Sequence, residues 1–337
     1  MNRQQLLPLV QVLTLPLYWL AGHWLLGLGP AAAGLFAIAS PFAVHVLVVG
    51  IGFIVSFRNQ HEEPGFRHGR RRDWVVAYLR EAAESLRQFY WLMPFREGFK
   101  LPEPAGPIRQ PPIVLIHGYG CNRGLWLPAA RWFSRRGYRV SAISLHPQHC
   151  PIERYAEAIA GEVARADAAA GSAGVALVCH SMGGLAARAY LQQCAQEGQD
   201  PRLAALVTLG TPHRGTHLAR FGLGENARQM RYGASWLDEL GSSGGAAAAT
   251  SAAQAGWLRI TTIASMHDNI VSRPLEQRLR LPAARAIFVR RQGHMSLATS
   301  PRIFRIIDRV LQRSSGGAAT PSPAASTQPV GAVRSRQ

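Results

Sequence analysis

Cysteine is scarce in this sequence of 337 residues. The four cysteines are Cys121, Cys150, Cys179 and Cys194. Their number and scattered spacing exclude a disulfide framework and a zinc site built from paired cysteines, so we expect reduced thiols. His146 and His149 lie near Cys150, but no compatible fourth ligand accompanies them. We therefore predict no metal site.

Lysine is almost absent and acidic residues are few. Of 37 basic residues only Lys100 is a lysine, 19 residues are acidic, and the formal net charge is +18. Such a charge is typical of proteins with an anionic partner. The arginines, however, lie among abundant alanine and glycine, which indicates a general compositional bias, and no nucleic-acid-binding motif is present. We therefore expect no nucleic-acid partner, and a membrane surface is the better candidate.

Charge is entirely missing from two long stretches near the start of the chain, Leu6 to Leu28 and Ala31 to Phe57. Each exceeds the roughly 20 residues that cross about 30 Å of hydrocarbon, which predicts a transmembrane hairpin over residues 1–57. Arg3 precedes the first run, and several arginines follow the second. Because positive flanks stay in the cytoplasm, we expect a multi-pass protein of the inner membrane with everything after Phe57 in the cytoplasm.

A cleaved signal peptide is the alternative interpretation of this region. It fits less well, because a signal peptide has one apolar region of about 7 to 15 residues, whereas the two uncharged stretches here are together far longer. His23 and His45 lie within the two apolar stretches. Nothing polar surrounds them in the sequence, so we expect neutral histidines that hydrogen bond within the hairpin.

Residues 58–111 are predicted to connect the membrane segment to the next domain. Apolar residues recur at intervals of three and four from Val75 to Met93, with charged residues on other faces, which predicts an amphipathic helix. The helix would lie in the lipid interface or pack on the next domain, and Arg70 to Arg72 would favour an anionic leaflet. The proline-rich stretch 101–112 then marks a domain boundary.

From Pro112 onward, short apolar runs alternate with helical patterns. This alternation predicts a mostly parallel sheet with helices on both faces, an α/β fold, over residues 112–313. In such a sheet ligands bind at the carboxyl ends of the strands. The predicted strands are 113–117, 138–145, 175–180, 205–210, 260–265 and 286–290, and the predicted helices are 126–136, 152–169, 184–194 and 303–313.

Ser181 directly follows the predicted strand 175–180 and precedes a helix, in the stretch VCHSMGG. A serine at such a turn, with Gly183 two residues on, is typical of a nucleophile elbow. The usual pattern is GxSxG, and here Cys179 replaces the first glycine. An ordinary serine at a helix start is the alternative, so the assignment depends on the other strand ends.

Two of those strand ends supply the remaining groups that an activated serine needs. Asp268, in SMHDNIVS, follows strand 260–265, and His294, in RQGHMSL, follows strand 286–290. The order Ser, Asp, His is that of the α/β-hydrolase triad, in which histidine is the base and the carboxylate orients it. Neighbouring His180 points to the opposite face of its strand. His267 lies beside the acid on the wrong side of the turn.

An oxyanion requires two hydrogen-bond donors. We predict the backbone amides of Met182, after the nucleophile, and Tyr119, in the HGYG turn after the first strand. The predicted substrate pocket is lined by His117, Gly118, His180 and His213.

At these motifs the sequence resembles the α/β-hydrolase superfamily, and more closely its bacterial lipase and esterase branch. HGYG, HSMGG, LVTLGTPHRGT, HDNIV and GHMSL carry the resemblance, which covers Pro112 to about Arg313. It implies hydrolysis of acyl or lipid esters through an acyl-enzyme on Ser181, with no cofactor. Some lipases of this branch carry calcium, but no matching ligands are identified in this sequence.

Two regions and two alternative functions stay open. Residues 212–257 contain a predicted helix, Asn226 to Leu240, which is either a lid over an acyl site or an ordinary surface helix with a loop. Residues 314–337 have the composition of a disordered tail. The same acyl-enzyme would also serve an acyltransferase, and the fold alone would suit a non-catalytic membrane scaffold. The sequence predicts no oligomeric state.

Overall fold

The computed structural model describes residues 6–61, 63, 69–242, 258–279 and 284–315. Two parts of the chain make up these residues, an N-terminal group of helices and an α/β domain. The helices are α1 Leu6–Leu20, α2 Pro30–His61, α3 Arg71–Arg87, α4 Met93–Phe95, α5 Leu127–Ser134, α6 Tyr155–Ala169, α7 Met182–Gln196, α8 Glu225–Gln229, α9 Ser235–Ser242 and α10 Pro301–Ser315. The strands are β1 Arg109–Ile116, β2 Tyr138–Ile143, β3 Val175–His180, β4 Leu203–Leu209, β5 Arg259–Ser265 and β6 Arg285–Val289.

The six strands form one sheet in the order β2-β1-β3-β4-β5-β6, and every neighbouring pair is parallel. Parallel pairing brings all carboxyl ends to one edge of the sheet, and β3 lies at its centre. The predicted strands agree with the observed ones to within a few residues, except that β1 begins earlier, at Arg109. The α/β fold predicted from the alternating pattern is therefore present.

Helices cover both faces of the sheet, because the central strands are apolar on both sides. On one face Ile159 of α6 and Leu185 of α7 are fully buried. On the other face Phe133 of α5 and Ile307 of α10 are fully buried, and Phe304 is nearly so. Two separate apolar layers thus hold the sheet and present its carboxyl edge to solvent and to the N-terminal helices.

One helix among the described residues is long and apolar enough to cross a membrane, Pro30–Gln60 within α2, with a mean hydropathy of 2.3. The first apolar stretch forms a shorter helix, Leu9–Leu25, in which a π-helical turn, Ala21–Leu25, follows α1. The described residues therefore contain one helix of sufficient length, and not the two that the sequence predicts. The helix ends at Leu25, and Gly27, with a φ of +68°, lies between it and α2.

The two apolar helices pack against each other and against α3. A Cβ on Gly22 would lie 3.4 Å from the Cα of Ala33, so the π-helical turn after α1 approaches α2 closely. Phe53 of α2 packs on Ala77 and Trp74 of α3. The outward side of α2 stays apolar, with Leu35, Leu47 and Val48 each at least 60% exposed.

The predicted amphipathic helix is present as α3, but its burial differs from the expected pattern. Val75 and Leu79 of the apolar stripe are 55% and 61% exposed, whereas Glu81 is 1% exposed. The helix thus turns part of its polar side towards the α/β domain. The predicted helix Asn226 to Leu240 is two helices, α8 and α9, because Gly233 between them has a φ of +78°. Residues 243–257 of the lid candidate and 316–337 of the tail lie outside the described residues.

The packing of Phe133 leads to a stability prediction. Its ring contacts Tyr138 and Phe304 at centroid distances of 5.8 and 5.7 Å and has no exposed surface. Truncation in Phe133→Ala should lower the free energy of unfolding by about 3–5 kcal/mol, as for other large buried aromatic residues. Phe221→Ala is the matched control, since Phe221 is 76% exposed. Denaturant titration of the full chain in detergent measures both, and equal losses would contradict the assigned core.

Candidate active site

Ser181 lies at a sharp turn between β3 and α7. Its backbone has φ 54° and ψ −128°, a conformation that residues other than glycine rarely adopt. The amide of Ser181 donates to the carbonyl of Leu209 at the end of β4, 2.8 Å away. A strained serine held by the neighbouring strand is the geometry of a nucleophile elbow, because the turn aims the side chain away from the sheet.

Two glycines make this turn possible. A Cβ on Gly183 would lie 2.6 Å from the carbonyl oxygen of His117, and one on Gly118 would lie 2.7 Å from the Cβ of Ser181. Both distances are too short for any side chain. Cys179, which stands where the usual motif has its first glycine, is fully buried in the apolar layer under α6 and α7. The missing glycine therefore leaves the turn itself intact.

Asp268 lies in the turn that follows β5. Its Oδ1 accepts hydrogen bonds from the amides of Ile270 and Val271 at 2.8 and 2.7 Å. The side chain is 1% exposed. Backbone donors of this kind stabilise the ionised carboxylate, which would otherwise be costly to bury.

His294 lies in the loop that follows β6, and its ring contacts that carboxylate. Nδ1 is 2.9 Å from Oδ2 of Asp268 and 3.1 Å from Oδ1. An ionised carboxylate only accepts hydrogen bonds, so we assign the proton to Nδ1. Among the described residues Nε2 has no hydrogen-bond partner, and its lone pair is available as a base. Burial by itself lowers the pKa of His294, but the charges of Asp268 and then Glu81 outweigh it, and the net shift is upward.

Ser181, Asp268 and His294 converge where β3, β4 and β5 end. A Cβ on Gly210, the residue after β4, would lie 3.0 Å from Oδ2 of Asp268 and 3.2 Å from Nδ1 of His294. The preceding residue, Leu209, accepts the amide of Ser181. In the described part of the chain Ser181 and His294 share no hydrogen bond, a looseness common in substrate-free enzymes.

The two backbone amides predicted as oxyanion donors lie on segments next to Ser181. Met182 is the first residue of α7, where helix amides have no partner within the helix. Tyr119 follows Gly118, the residue packed on Ser181. Within the described ranges the amide of Tyr119 donates to no backbone carbonyl. The two predicted donors therefore lie on the two segments that meet at the serine.

The histidines predicted to line the pocket are engaged in holding loops. His117, with 2% exposure, accepts the amide of Leu145 at Nε2, 2.8 Å away, and burial lowers its pKa to about 4. Nε2 of His180 is 3.0 Å from the carbonyl oxygen of His294, and their ring centroids are 4.7 Å apart. His213 contacts Thr208 Oγ1 at 3.0 Å. Of the predicted pocket residues, Gly118 lies directly beside Ser181. A Cβ on Gly118 would lie 3.3 Å from the hydroxyl oxygen of Ser181.

Several contacts that support the site were not predicted. Asn269 Oδ1 accepts the amide of His294 at 3.0 Å. The hydroxyl of Tyr119 accepts the amide of Leu223 at 2.7 Å and donates to its carbonyl at 2.9 Å, which joins the HGYG turn to the lid candidate. Glu81 accepts the amides of Met295 and Ser296. Asn269 lies beside the acid in the sequence and Tyr119 lies in the HGYG turn, but nothing in the sequence marked Glu81.

Comparisons with known proteins support the fold. The model of the palmitoyl protein thioesterase family matches residues 112–259. The mature form of lipase BlEst2 from Bacillus licheniformis is 19% identical with a TM-score of 0.53, over 63% of this chain and 96% of that chain. The propeptide form of the same lipase is 20% identical with a TM-score of 0.52, over 66% of this chain and 54% of that chain. No curated protein matches the sequence.

These likenesses agree with the parallel six-stranded sheet covered by helices. The chain therefore has the α/β-hydrolase fold.

Proposed function

We propose that the protein is a serine hydrolase that cleaves acyl esters through an acyl-enzyme on Ser181. The observation that carries the proposal is the convergence of a strained serine with a buried histidine and carboxylate at one edge of the sheet. In the proposed reaction Nε2 of His294 takes the hydroxyl proton as Ser181 attacks the acyl carbonyl, and returns it to the leaving group. Water then attacks the acyl-enzyme while Nε2 of His294 takes a proton from it. The imidazolium returns that proton to Ser181 as the acyl group leaves as a carboxylic acid.

Each remaining group has a role in this mechanism. Asp268 holds the imidazole in the tautomer that leaves Nε2 unprotonated and stabilises the imidazolium that forms. The amides of Tyr119 and Met182 stabilise the negative charge on the carbonyl oxygen of the tetrahedral intermediate. The mechanism uses no cofactor.

Two chemical classes of acyl ester are candidates for the substrate. The structural likeness is to a lipase, which favours oxygen esters, whereas the family model is named for a protein thioesterase, which favours thioesters. We propose lipid-like acyl oxygen esters as the substrate because the domain is joined to apolar helices. Thioesters are the second candidate, since the same acyl-enzyme forms from either leaving group.

We also propose that the N-terminal helices anchor this domain to the cytoplasmic side of the inner membrane. Supporting this are the length and hydropathy of α2 and its exposed apolar surface, which a water-soluble protein rarely presents. We propose that α1, packed beside α2, forms the second, shorter arm of a hairpin. The lipid bilayer is then the protein's immediate partner and the source of its substrate.

Substitutions of the proposed nucleophile and acid test the reaction. Ser181→Ala should lose labelling by a fluorophosphonate and lose turnover of p-nitrophenyl esters and a palmitoyl thioester. Asp268→Asn keeps Oδ1 for the amides of Ile270 and Val271 but presents an NH₂ group to His294, so kcat should fall by about 10³-fold or more in folded protein. Thermal unfolding is the control. Full labelling and turnover in Ser181→Ala would refute the proposed mechanism.

The environment of His294 predicts the pH dependence of the reaction. The pKa of this histidine is raised above 6.5, and it must be neutral to act as a base. We therefore expect kcat/KM to fall as the pH drops through a value above 6.5. An initial-rate profile from pH 5 to 9 measures this limb. A plateau extending down to pH 6 would contradict the assignment of His294 as the base.

Reporter fusions test the anchoring. With the hairpin, reporters that function only in the cytoplasm should be active both before Met1 and after Gln337, because two crossings return the chain to its starting side. With α2 alone as a span, the two reporters should give opposite results. A periplasmic signal from the reporter after Gln337 would overturn the proposed orientation of the catalytic domain.

A further inference from the structure

The polar side of α3 contacts the two loops that carry Asp268 and His294. At the start of the helix, Asp73 pairs with Arg291 at 2.7 Å and Trp74 packs on His267 with a centroid distance of 4.9 Å. Just after the helix, Nε2 of Gln88 donates to the carbonyl of Met295 at 3.2 Å. The contacts therefore run along the whole helix, and they concentrate on residues adjacent to the site.

Glu81 is at the centre of this contact. Its Oε1 accepts the amide of Met295 at 2.7 Å and its Oε2 accepts the amide of Ser296 at 2.9 Å. These two residues directly follow His294 and begin the 3₁₀ turn Met295–Ala298, whose first amides have no partner within the turn. A Cβ on Gly293 would lie 2.5 Å from Cδ of Glu81, so only glycine lets the carboxylate approach.

A carboxylate in this position is costly in free energy. Glu81 is 1% exposed, and no lysine or arginine among the described residues forms an ion pair with it. Burial raises its pKa to about 7, and the two amide hydrogen bonds only partly oppose that shift. An apolar residue here would avoid the cost of burying a charge but would leave the amides of Met295 and Ser296 without these partners. The charge and the two hydrogen bonds therefore suggest a role at the neighbouring histidine.

We infer that Glu81 is a positioning residue of the proposed hydrolase, whose carboxylate holds the loop after β6 so that the ring of His294 faces Ser181. The inference rests on the proposed function. Glu81 touches no reacting atom; it acts through the backbone of Met295 and Ser296. Its negative charge also favours the imidazolium that forms when His294 takes a proton.

The inference assigns the N-terminal helices a part in assembling the site. The loop after β5, which carries Asp268, is the acid loop, and the loop after β6, which carries His294, is the base loop. The carbonyl of Asp268 accepts a hydrogen bond from the hydroxyl of Ser56 on α2. A Cβ on Gly52 would lie 3.1 Å from the carbonyl oxygen of Asn269. One membrane-linked segment thus supports the acid loop through α2 and the base loop through α3.

Two variants separate the hydrogen bonds from the charge. Glu81→Gln keeps the length of the side chain but removes the charge and turns an NH₂ group towards one amide. Glu81→Asp keeps the charge but is one methylene too short to reach both amides. The matched control is Glu84→Gln, one turn along the helix and partly exposed in a pair with Arg87. All are assayed as full chains in detergent with a p-nitrophenyl ester.

In Glu81→Gln we expect kcat to fall about 10-fold or more, with KM within about threefold of wild type, because the lost interaction positions the base. The acid limb of kcat/KM should move to lower pH by at least about 0.3, since a negative charge near His294 is gone while Asp268 remains and the neighbouring His180 stays neutral. In Glu81→Asp kcat should fall while the limb stays in place. Glu84→Gln should match wild type in both.

A folded Glu81→Gln with wild-type kcat and an unmoved acid limb would overturn the inference. If that variant does not fold, as judged by circular dichroism, Glu81→Asp decides: wild-type kcat there would also overturn it. Ser181→Ala, measured in parallel, separates this result from failure of the proposed function. Loss of activity in Ser181→Ala with no effect at Glu81 rejects only the positioning role, whereas activity in Ser181→Ala rejects the proposed hydrolase.

Discussion

The contact between Asp268 and His294, 2.9 Å long and buried, joins the loops after β5 and β6 and sets the chemistry available at this edge of the sheet. The carboxylate is buried at tolerable cost because the amides of Ile270 and Val271 also donate to it. In turn it holds the proton of the imidazole on Nδ1, which leaves Nε2 as the basic nitrogen. In the proposed mechanism this contact supplies the base that the strained serine at the end of β3 needs in order to act as a nucleophile.

The sequence predicted the parts of the site that follow from strand order. Parallel strands place their carboxyl ends at one edge, so residues that come directly after three different strands meet there whatever their separation along the chain. Ser181, Asp268 and His294 were predicted by this rule, and so were the positions of Tyr119 and Met182. The fold was predicted for the same reason, because apolar runs at regular intervals indicate strands buried on both faces.

The supporting contacts depend on how separate elements pack, and a single sequence contains no sign of that packing. Glu81 belongs to a helix with an ordinary amphipathic pattern, and its burial follows from the way α3 is rotated against the loop of His294. His180 was set aside because its side chain points away from Ser181, yet that direction brings it to the carbonyl of His294. The first apolar stretch was long enough by composition, but the apolar helix that it forms, Leu9–Leu25, is shorter than the stretch at both ends.

The rotation of α3 has a consequence for how substrate reaches the proposed site. Val75 and Leu79 face outwards from the same helix that turns Glu81 inwards, and Trp91 and Phe95 further along are also more than half exposed. An exposed apolar stripe on a helix that follows the proposed membrane segment favours a position in the lipid interface. A helix with its side chains is about 10 Å across, so the base loop would lie roughly that distance from the lipid surface. An acyl ester would then need to leave the bilayer by little more than one helix diameter, which favours a lipid-like substrate over a soluble one.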